Sequence, residues 1–400
     1  MRNTGHSLRA VPSFAHGSRM ATQPALAPVE KPLYVTQPSL PSFERFAAYL
    51  GEIWNSAVLT NNGAMHRRLE AALKERLGVE HIALFSSGTT ALLVALKALG
   101  ISGEVITTPF TFAATTHALV WAGLTPVFAD IDARTMNLDP ASIERAITPR
   151  TTAIMPVHCY GRPCDVAAIG DIARRHGLKV IYDAAHAFDV ADARGSILRH
   201  GDLSVLSFHA TKVFSTVEGG AVVCHDIETL ERINRLKNFG IVDEVTVAEI
   251  GINGKLNEIS AAFGLAQLEV LDQARGARQR IDNAYRTDLA DVRGIRLAPL
   301  PDGFTANHGY FPILVDDEYP LDRDGLYAAL RAADINSRRY FYPLTSNFPA
   351  YAELPSAHPG NLPVANELAR RILCLPIHAS LTPADVERVI VAIRSNSRHS

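Results

Sequence analysis

The sequence carries no excess charge of either sign. Its 39 Lys and Arg stand against 41 Asp and Glu, a formal net charge of -2. That balance removes the electrostatic case for binding nucleic acid or an anionic membrane. No apolar run reaches the roughly 20 residues that a membrane span needs. Cysteine is scarce, and Cys159, Cys164, Cys224 and Cys374 are scattered, so they read as buried thiols in a reducing compartment and not as a disulfide framework. His158 lies near Cys159 and Cys164, but a second ligand pair is missing. Packing is the reading for all three, and no metal is expected. Internal repeats and low-complexity tracts are also lacking, which excludes solenoids and arrays.

What is present suits a globular enzyme-sized chain. Hydrophobic residues make up 47% and charged residues 20% of 400 residues, enough for a sizeable core in two or three domain equivalents. Residues 1–30 differ from the rest, with Arg2, Arg9 and Arg19, no acid before Glu30, and Pro12, Pro24 and Pro28. With no continuous apolar segment they read as a disordered extension and not a secretory signal, with Met20 as an alternative start. The expected location is cytoplasmic.

From about residue 80 to 210, short β-rich runs alternate with amphipathic stretches. The strand candidates are His81–Phe85, Glu104–Thr107, Pro126–Asp130, Thr152–Val157, Lys179–Asp183 and Ser204–Phe208. Helical patterns at Ala91–Leu99, Ala113–Trp121 and Val166–His176 lie between them. Such alternation predicts an α/β fold with a largely parallel sheet covered on both faces, which binds ligands beyond the carboxyl ends of its strands. Only eleven residues separate Phe208 from the apolar run Gly220–Cys224, too few for a helical crossover, so this run is expected to be antiparallel. Helices are expected over Glu228–Asn238 and residues 257–290, where Ala261, Ala262, Leu265, Leu268 and Leu271 share a face. The last hundred residues read as a smaller α+β part, with a strand at Tyr310–Val315 and helices at Leu326–Ala332 and Thr382–Arg394. The expected division is a large domain over 31–250 and a small one over 251–400.

Three segments carry chemistry. Ser87-Gly88-Thr89 follows a strand and opens a helix, where free N–H groups and hydroxyls make an anion cup. Ser and Thr are also ordinary helix caps. Asp183 ends the apolar strand Val180-Ile181-Tyr182 and precedes Ala184-Ala185-His186. A carboxylate there needs a positive partner, and a protonated pyridine nitrogen is one, although a helix cap is an equal alternative. Ser207-Phe208-His209-Ala210-Thr211-Lys212 lies beyond the next strand. A pocket lysine with a lowered pKa is an imine-forming nucleophile, while a surface lysine is the default. Gly219 and Gly220 are expected to permit the reversal into the antiparallel strand.

Cup, strand-end Asp, then Ser-x-x-x-x-Lys is the order that resembles fold-type I pyridoxal-phosphate (PLP) enzymes, with Phe112 as the aromatic over the pyridine ring. Thr60-Asn61-Asn62-Gly63, Pro156-Val157-His158-Cys159-Tyr160-Gly161, Glu218-Gly219-Gly220 and Asn253-Gly254-Lys255 extend the likeness. Over about residues 33–395 the chain resembles the DegT/StrS family of nucleotide-sugar aminotransferases. That resemblance implies Lys212 as the Schiff-base lysine, Asp183 as the ring-nitrogen partner and His186 beside the cofactor. Phosphate contacts are implied for Gly88, Thr89 and Ser207, with Ser87 beside them among the cofactor-binding residues and Asn253 reaching in from the other subunit of a homodimer.

Val35–Pro41, the pair Cys164 and Cys224, and Arg338–Pro343 resemble a branch acting on a dTDP-linked 4-keto-6-deoxysugar with glutamate as donor. Departures from that branch are Ser87 for Asn, Ala64-Met65 for Pro-Phe, and Asp189 for Gly, and they bear on sugar fit. Rival expectations are amino transfer to C3, a dehydratase (which would carry histidine in place of Lys212) and a non-catalytic regulator with the same fold.

Overall fold

The computed structural model describes residues 31–300 and 302–397; the expected extension over residues 1–30 lies outside them. The β-rich runs assemble into a seven-stranded sheet in the spatial order His81–Phe85, Gly220–Cys224, Leu203–Ser207, Lys179–Asp183, Thr151–Met155, Glu104–Thr107, Thr125–Phe128. Gly220–Cys224 runs antiparallel to both neighbours, as its short connection requires, and the other ladders are parallel. Alternation along each strand feeds two cores. Ile82 and Leu84 enter one, Ala83 and Phe85 the other. Leu69, Leu73 and Ala261 close the first, and Ala91, Leu119 and Ile233 the second.

Three strands end earlier than the sequence pattern suggests, the one leading to Lys212 by a single residue, at Ser207. Pro156 has no N–H to give a ladder, so the strand before it stops at Met155. Asp130 leaves its strand to accept hydrogen bonds from Val364 N (2.9 Å) and Ala365 N (2.8 Å), at the start of the helix Pro363–Arg371. The helix expected from Ala91 instead begins at Gly88, because Ser87 caps it.

Gly219 and Gly220 serve the reversal by leaving space and not by adopting a left-handed conformation. The reversal turns at Val217, which takes the left-handed conformation at φ 70°. The glycines supply space. A Cβ on Gly220 would sit 2.8 Å from both Cα and N of Gly88, and one on Gly219 would sit 2.0 Å from Thr216 Oγ1. Bare Gly219 thus lets the chain close on Thr216 within the reversal, and bare Gly220 lets the start of the helix Gly88–Ala98 press against the antiparallel strand.

The long helix Glu258–Asp288 gives Ala262, Leu265 and Leu271 to the first core and Ile281 and Tyr285 to another. That further core surrounds an antiparallel sheet of Ile295–Leu297, Phe311–Val315 and Ile372–Leu375. Leu33–Tyr34 pairs with Ile335–Asn336, and Leu33 packs into the same core. All four cysteines are buried free thiols. His158 stacks on Tyr182 at 4.6 Å and accepts from Cys164 N at 3.0 Å, which makes it a packing residue. Among the described residues no helix is long and apolar enough to cross a membrane, and no group of three or more His, Cys, Asp or Glu could hold a metal.

Because the clash at Gly220 is with backbone, Gly220→Ala should cost about 1–3 kcal/mol, the usual range for overpacking. Urea denaturation measures it. A variant as stable as the parent would show that the helix start can shift freely.

Candidate active site

The carboxyl ends of the parallel strands open onto a cavity of about 290 Å³. Ser87, Gly88, Thr89, Phe112, Asp183, His186, Ser207 and Lys212, eight of the nine residues singled out from sequence, line it. Asn253 does not. It is exposed on a segment that passes behind the cup, where Ser86 N donates to Gly254 O at 2.8 Å.

Local hydrogen bonding explains the cup. Thr90 N donates to Ser87 Oγ at 3.1 Å, and Ser87 N to Thr90 Oγ1 at 3.2 Å. The Ser87 hydroxyl is thus the helix cap, while the first-turn N–H groups of Gly88 and Thr89 have no helical acceptor. Ser207 faces them from the neighbouring strand end. A Cβ on Gly88 would fill the gap, 3.0 Å from Ser207 Cβ and 3.2 Å from its Oγ. The dipole of the helix adds positive potential at this point.

Asp183 is buried at the end of its strand. Thr115 Oγ1 donates to its Oδ2 at 2.7 Å and Ala185 N to its Oδ1 at 3.0 Å. Thr111 and Thr115 share a further hydroxyl contact of 2.8 Å. Burial raises the Asp183 pKa above the ordinary carboxylate value, and these hydrogen bonds, with the charge of Lys212, oppose the rise. Burial also draws Lys212 down to about 8, against the pull of Asp183. Lys212 Nζ points to Tyr310 Oη at 3.4 Å.

His186 Nδ1 accepts from Tyr160 N at 3.1 Å, so the neutral ring carries its proton on Nε2. Burial, then the nearby Lys212, holds its pKa well below the ordinary histidine value. The ring therefore acts as a fixed N–H donor. It lies parallel to Phe341 at 6.0 Å and tilted against Tyr310 at 4.6 Å.

These donors fit PLP. An anion cup suits a phosphate, a buried carboxylate suits a protonated ring nitrogen, and an amine of lowered pKa suits an aldehyde carbon. Phe112, 60% exposed, offers a ring face at the rim.

Sequence reasoning missed Thr115, Tyr160, Tyr310, Tyr340 and Phe341 as site residues. Thr115 in the run Pro109–Thr115 around Phe112, Tyr160 in Pro156–Gly161, and Tyr340 and Phe341 in Arg338–Pro343 stood inside recognised segments whose individual side-chain roles were not legible. Tyr310 opened an expected strand, and the fold brings it to the cavity with Tyr340 and Phe341. Of the departures from the sugar-enzyme branch, Ser87 lines the cavity, while Ala64, Met65 and Asp189 do not. Asp189 keeps a glycine-like φ of 62° and pairs with Arg76 at 2.7 Å and with Arg275.

The cofactor-free protein should therefore hold Lys212 as an ammonium below about pH 8 and as a free amine above it. Reductive methylation followed by peptide mass spectrometry reads this, with half-maximal labelling of Lys212 near that pH. Labelling that rises only near pH 10, as for an exposed lysine (about 10.4 unperturbed), would contradict the burial argument.

Comparison with known proteins agrees with this site. The sequence profile of the DegT/DnrJ/EryC1/StrS aminotransferase family matches residues 42–394. The chain is 55% identical, over 92% of its length and 99% of the relative's, to a dTDP-4-amino-4,6-dideoxy-D-glucose transaminase of Shigella dysenteriae. A transaminase of the same name from Escherichia coli is 50% identical over 91% of this chain and 97% of its own. The solved structure of DesI in the presence of its TDP-sugar product superposes with a TM-score of 0.88 at 37% identity, covering 93% of this chain and 95% of that one. The chain belongs to the DegT/DnrJ/EryC1/StrS aminotransferase family and is a PLP-dependent sugar transaminase.

Proposed function

We propose that the enzyme moves an amino group from L-glutamate to C4 of dTDP-4-keto-6-deoxyglucose, giving dTDP-4-amino-4,6-dideoxyglucose. The 55% identity along nearly the whole of the Shigella dysenteriae transaminase is the observation that carries this choice of sugar. In the proposed reaction glutamate leaves as 2-oxoglutarate before the keto-sugar enters.

PLP, when bound, supplies a carbonyl that takes up the amino group and a ring that spreads negative charge. The Gly88 and Thr89 N–H groups, with the Thr89 and Ser207 hydroxyls, bind its phosphate, and Ser87 holds that cup in shape. Asp183 keeps the ring nitrogen protonated, since a buried carboxylate gains most from a cationic partner. Phe112 covers one face of the ring and excludes water from it. His186 donates through Nε2 to the phenolic oxygen or to substrate. Lys212, with its amine inside the cavity, would be the group that takes up the proton of the donor's α-carbon and holds it for return, the general base and acid of the transfer.

In this reading the large domain, 31–250, carries the cofactor, and the small domain, 251–400, closes over the substrate. The enzyme works as a cytoplasmic homodimer, with Asn253 of each subunit completing its partner's phosphate site. Two features support the dimer: Asn253 is exposed away from its own cavity, and Ile241, Val242, Val245, Val247, Ile250 and Ile252 around it are exposed as well.

The test is to incubate the protein with PLP, glutamate and dTDP-4-keto-6-deoxyglucose and locate the new amine by NMR. An equatorial amine at C4 is expected; an axial C4 amine, an amine at C3, or turnover confined to another keto-sugar would overturn the assignment. Lys212→Ala should lose roughly 10²–10⁴-fold in turnover together with the visible band of lysine-linked cofactor. Retention of both would remove Lys212 from its role.

A further inference from the structure

Tyr310 stands at the entrance to the strand Phe311–Val315, nearly a hundred residues beyond Lys212, yet its hydroxyl is the side-chain partner of the Lys212 amine, at 3.4 Å. The same ring packs on His186 at 4.6 Å and on Tyr160 at 5.7 Å. Its place is fixed from the backbone outward. Asn307 Nδ2 donates to His186 O (2.8 Å) and to Phe188 O (2.9 Å), and Asn307 Oδ1 accepts from Gly309 N (3.1 Å). This clamp ties the loop after Asp183 to the segment leading into Tyr310. Two glycines make it possible. A Cβ on Gly161 would lie 2.7 Å from His186 O and 2.9 Å from Asn307 Oδ1, and one on Gly309 would press on Val213 at 3.1 Å. Val213 follows Lys212 directly, so the clamp also sets the distance between Tyr310 and the lysine loop.

A lysine side chain has four rotatable carbons and, when not bonded to a ligand, little to hold its amine in one place. Proton transfer by such an amine needs a fixed approach, and an error of about 1 Å costs as much as 10²-fold. A phenol hydroxyl suits the task because it accepts from an ammonium and donates to a neutral amine. Burial, with Tyr340 and the cysteines 374 and 159 nearby, raises the Tyr310 pKa, so the group stays a hydroxyl and does not become a competing anion.

We infer that Tyr310 is a positioning residue for Lys212, holding the amine on the His186 side of the cavity whenever it is free to carry a proton. The inference rests on Lys212 as the proton-carrying lysine. It adds that the C-terminal part of the chain, and not only the sheet, controls how the lysine works.

Tyr310→Phe keeps the ring and its packing and removes only the hydroxyl. In this variant kcat with glutamate should fall about tenfold or more, with KM for glutamate within about twofold. With α-deuterated glutamate the isotope effect on kcat should rise above that of the parent, because carbon-proton transfer becomes slower. In the cofactor-free protein the pH of half-maximal Lys212 labelling should move below the parent's, since the ammonium loses a charge-assisted hydrogen bond. An unchanged labelling midpoint with an unchanged isotope effect would overturn the inference. So would a rate loss that tracks weakened PLP affinity alone, which would make Tyr310 a wall of the cavity. The labelling experiment needs no turnover, so it reads the Tyr310–Lys212 coupling even if Lys212→Ala were to remain active.

Discussion

A carboxylate at the end of a buried strand is an expensive thing to keep ionised, and much of this active site can be traced to how Asp183 is kept so. Val180, Ile181 and Tyr182 bury the strand that delivers it, and nothing but hydrogen bonds and a nearby lysine offsets the loss of water. Thr115 and Ala185 each give one bond, and Thr111 stands behind Thr115. Burial pushes Asp183 and Lys212 toward neutrality together, while their mutual attraction works the other way. A pocket in this condition prefers a ligand that brings its own cation to the carboxylate and leaves the amine free to react. PLP does both, and the site is best understood as a set of charges waiting for that exchange.

The cup fixes how deep such a ligand sits. A helix start can bind an anion only where backbone N–H groups are both unpaired and close to other donors. Ser87 and Thr90 use up each other's groups in the capping box and so direct Gly88 and Thr89 outward. Gly88 meets Ser207 on one side and Gly220 on the other at distances where any side chain would intrude. The antiparallel strand thus adjoins the proposed phosphate site through the lack of bulk at Gly220, while Gly219 makes room for Thr216 within the reversal.

What could be read from sequence follows from how local each feature is. The cap at Ser87, the end of the strand at Asp183 and the Ser207-to-Lys212 spacing depend on neighbours within a few residues, and the sheet places them as the pattern implies. The antiparallel strand was legible because chain length alone forbids a crossover. Features that depend on contact across the chain were not. Asp130 looked like a strand residue until the helix Pro363–Arg371 supplied two N–H groups for it to cap. Val217 gave no sign of a left-handed turn, since a β-branched residue is among the least suited to one. Thr115 stood inside a recognised motif, but only the three-dimensional packing aims its hydroxyl at Asp183. Tyr310 had nothing in its local sequence to connect it with Lys212.

This division has a chemical counterpart. The groups legible from local sequence, those proposed to bind and polarise the cofactor, come from strand ends of the one seven-stranded sheet. Those that required the fold, Tyr310, Tyr340 and Phe341, approach the same cavity from the C-terminal part of the chain. The strands that end at Asp183 and Ser207 are held by ladders on both sides, and such a frame suits a cofactor whose phosphate and ring nitrogen never change. Loops leading into a separate small sheet can vary in length and side chain without disturbing those ladders, which suits a wall that must accept one sugar and refuse another. Tyr310 spans the two. It stands with Tyr340 and Phe341 on the C-terminal wall by position and beside the proposed proton carrier by its contact with Lys212, so a change of substrate built into that wall cannot ignore the geometry of proton transfer.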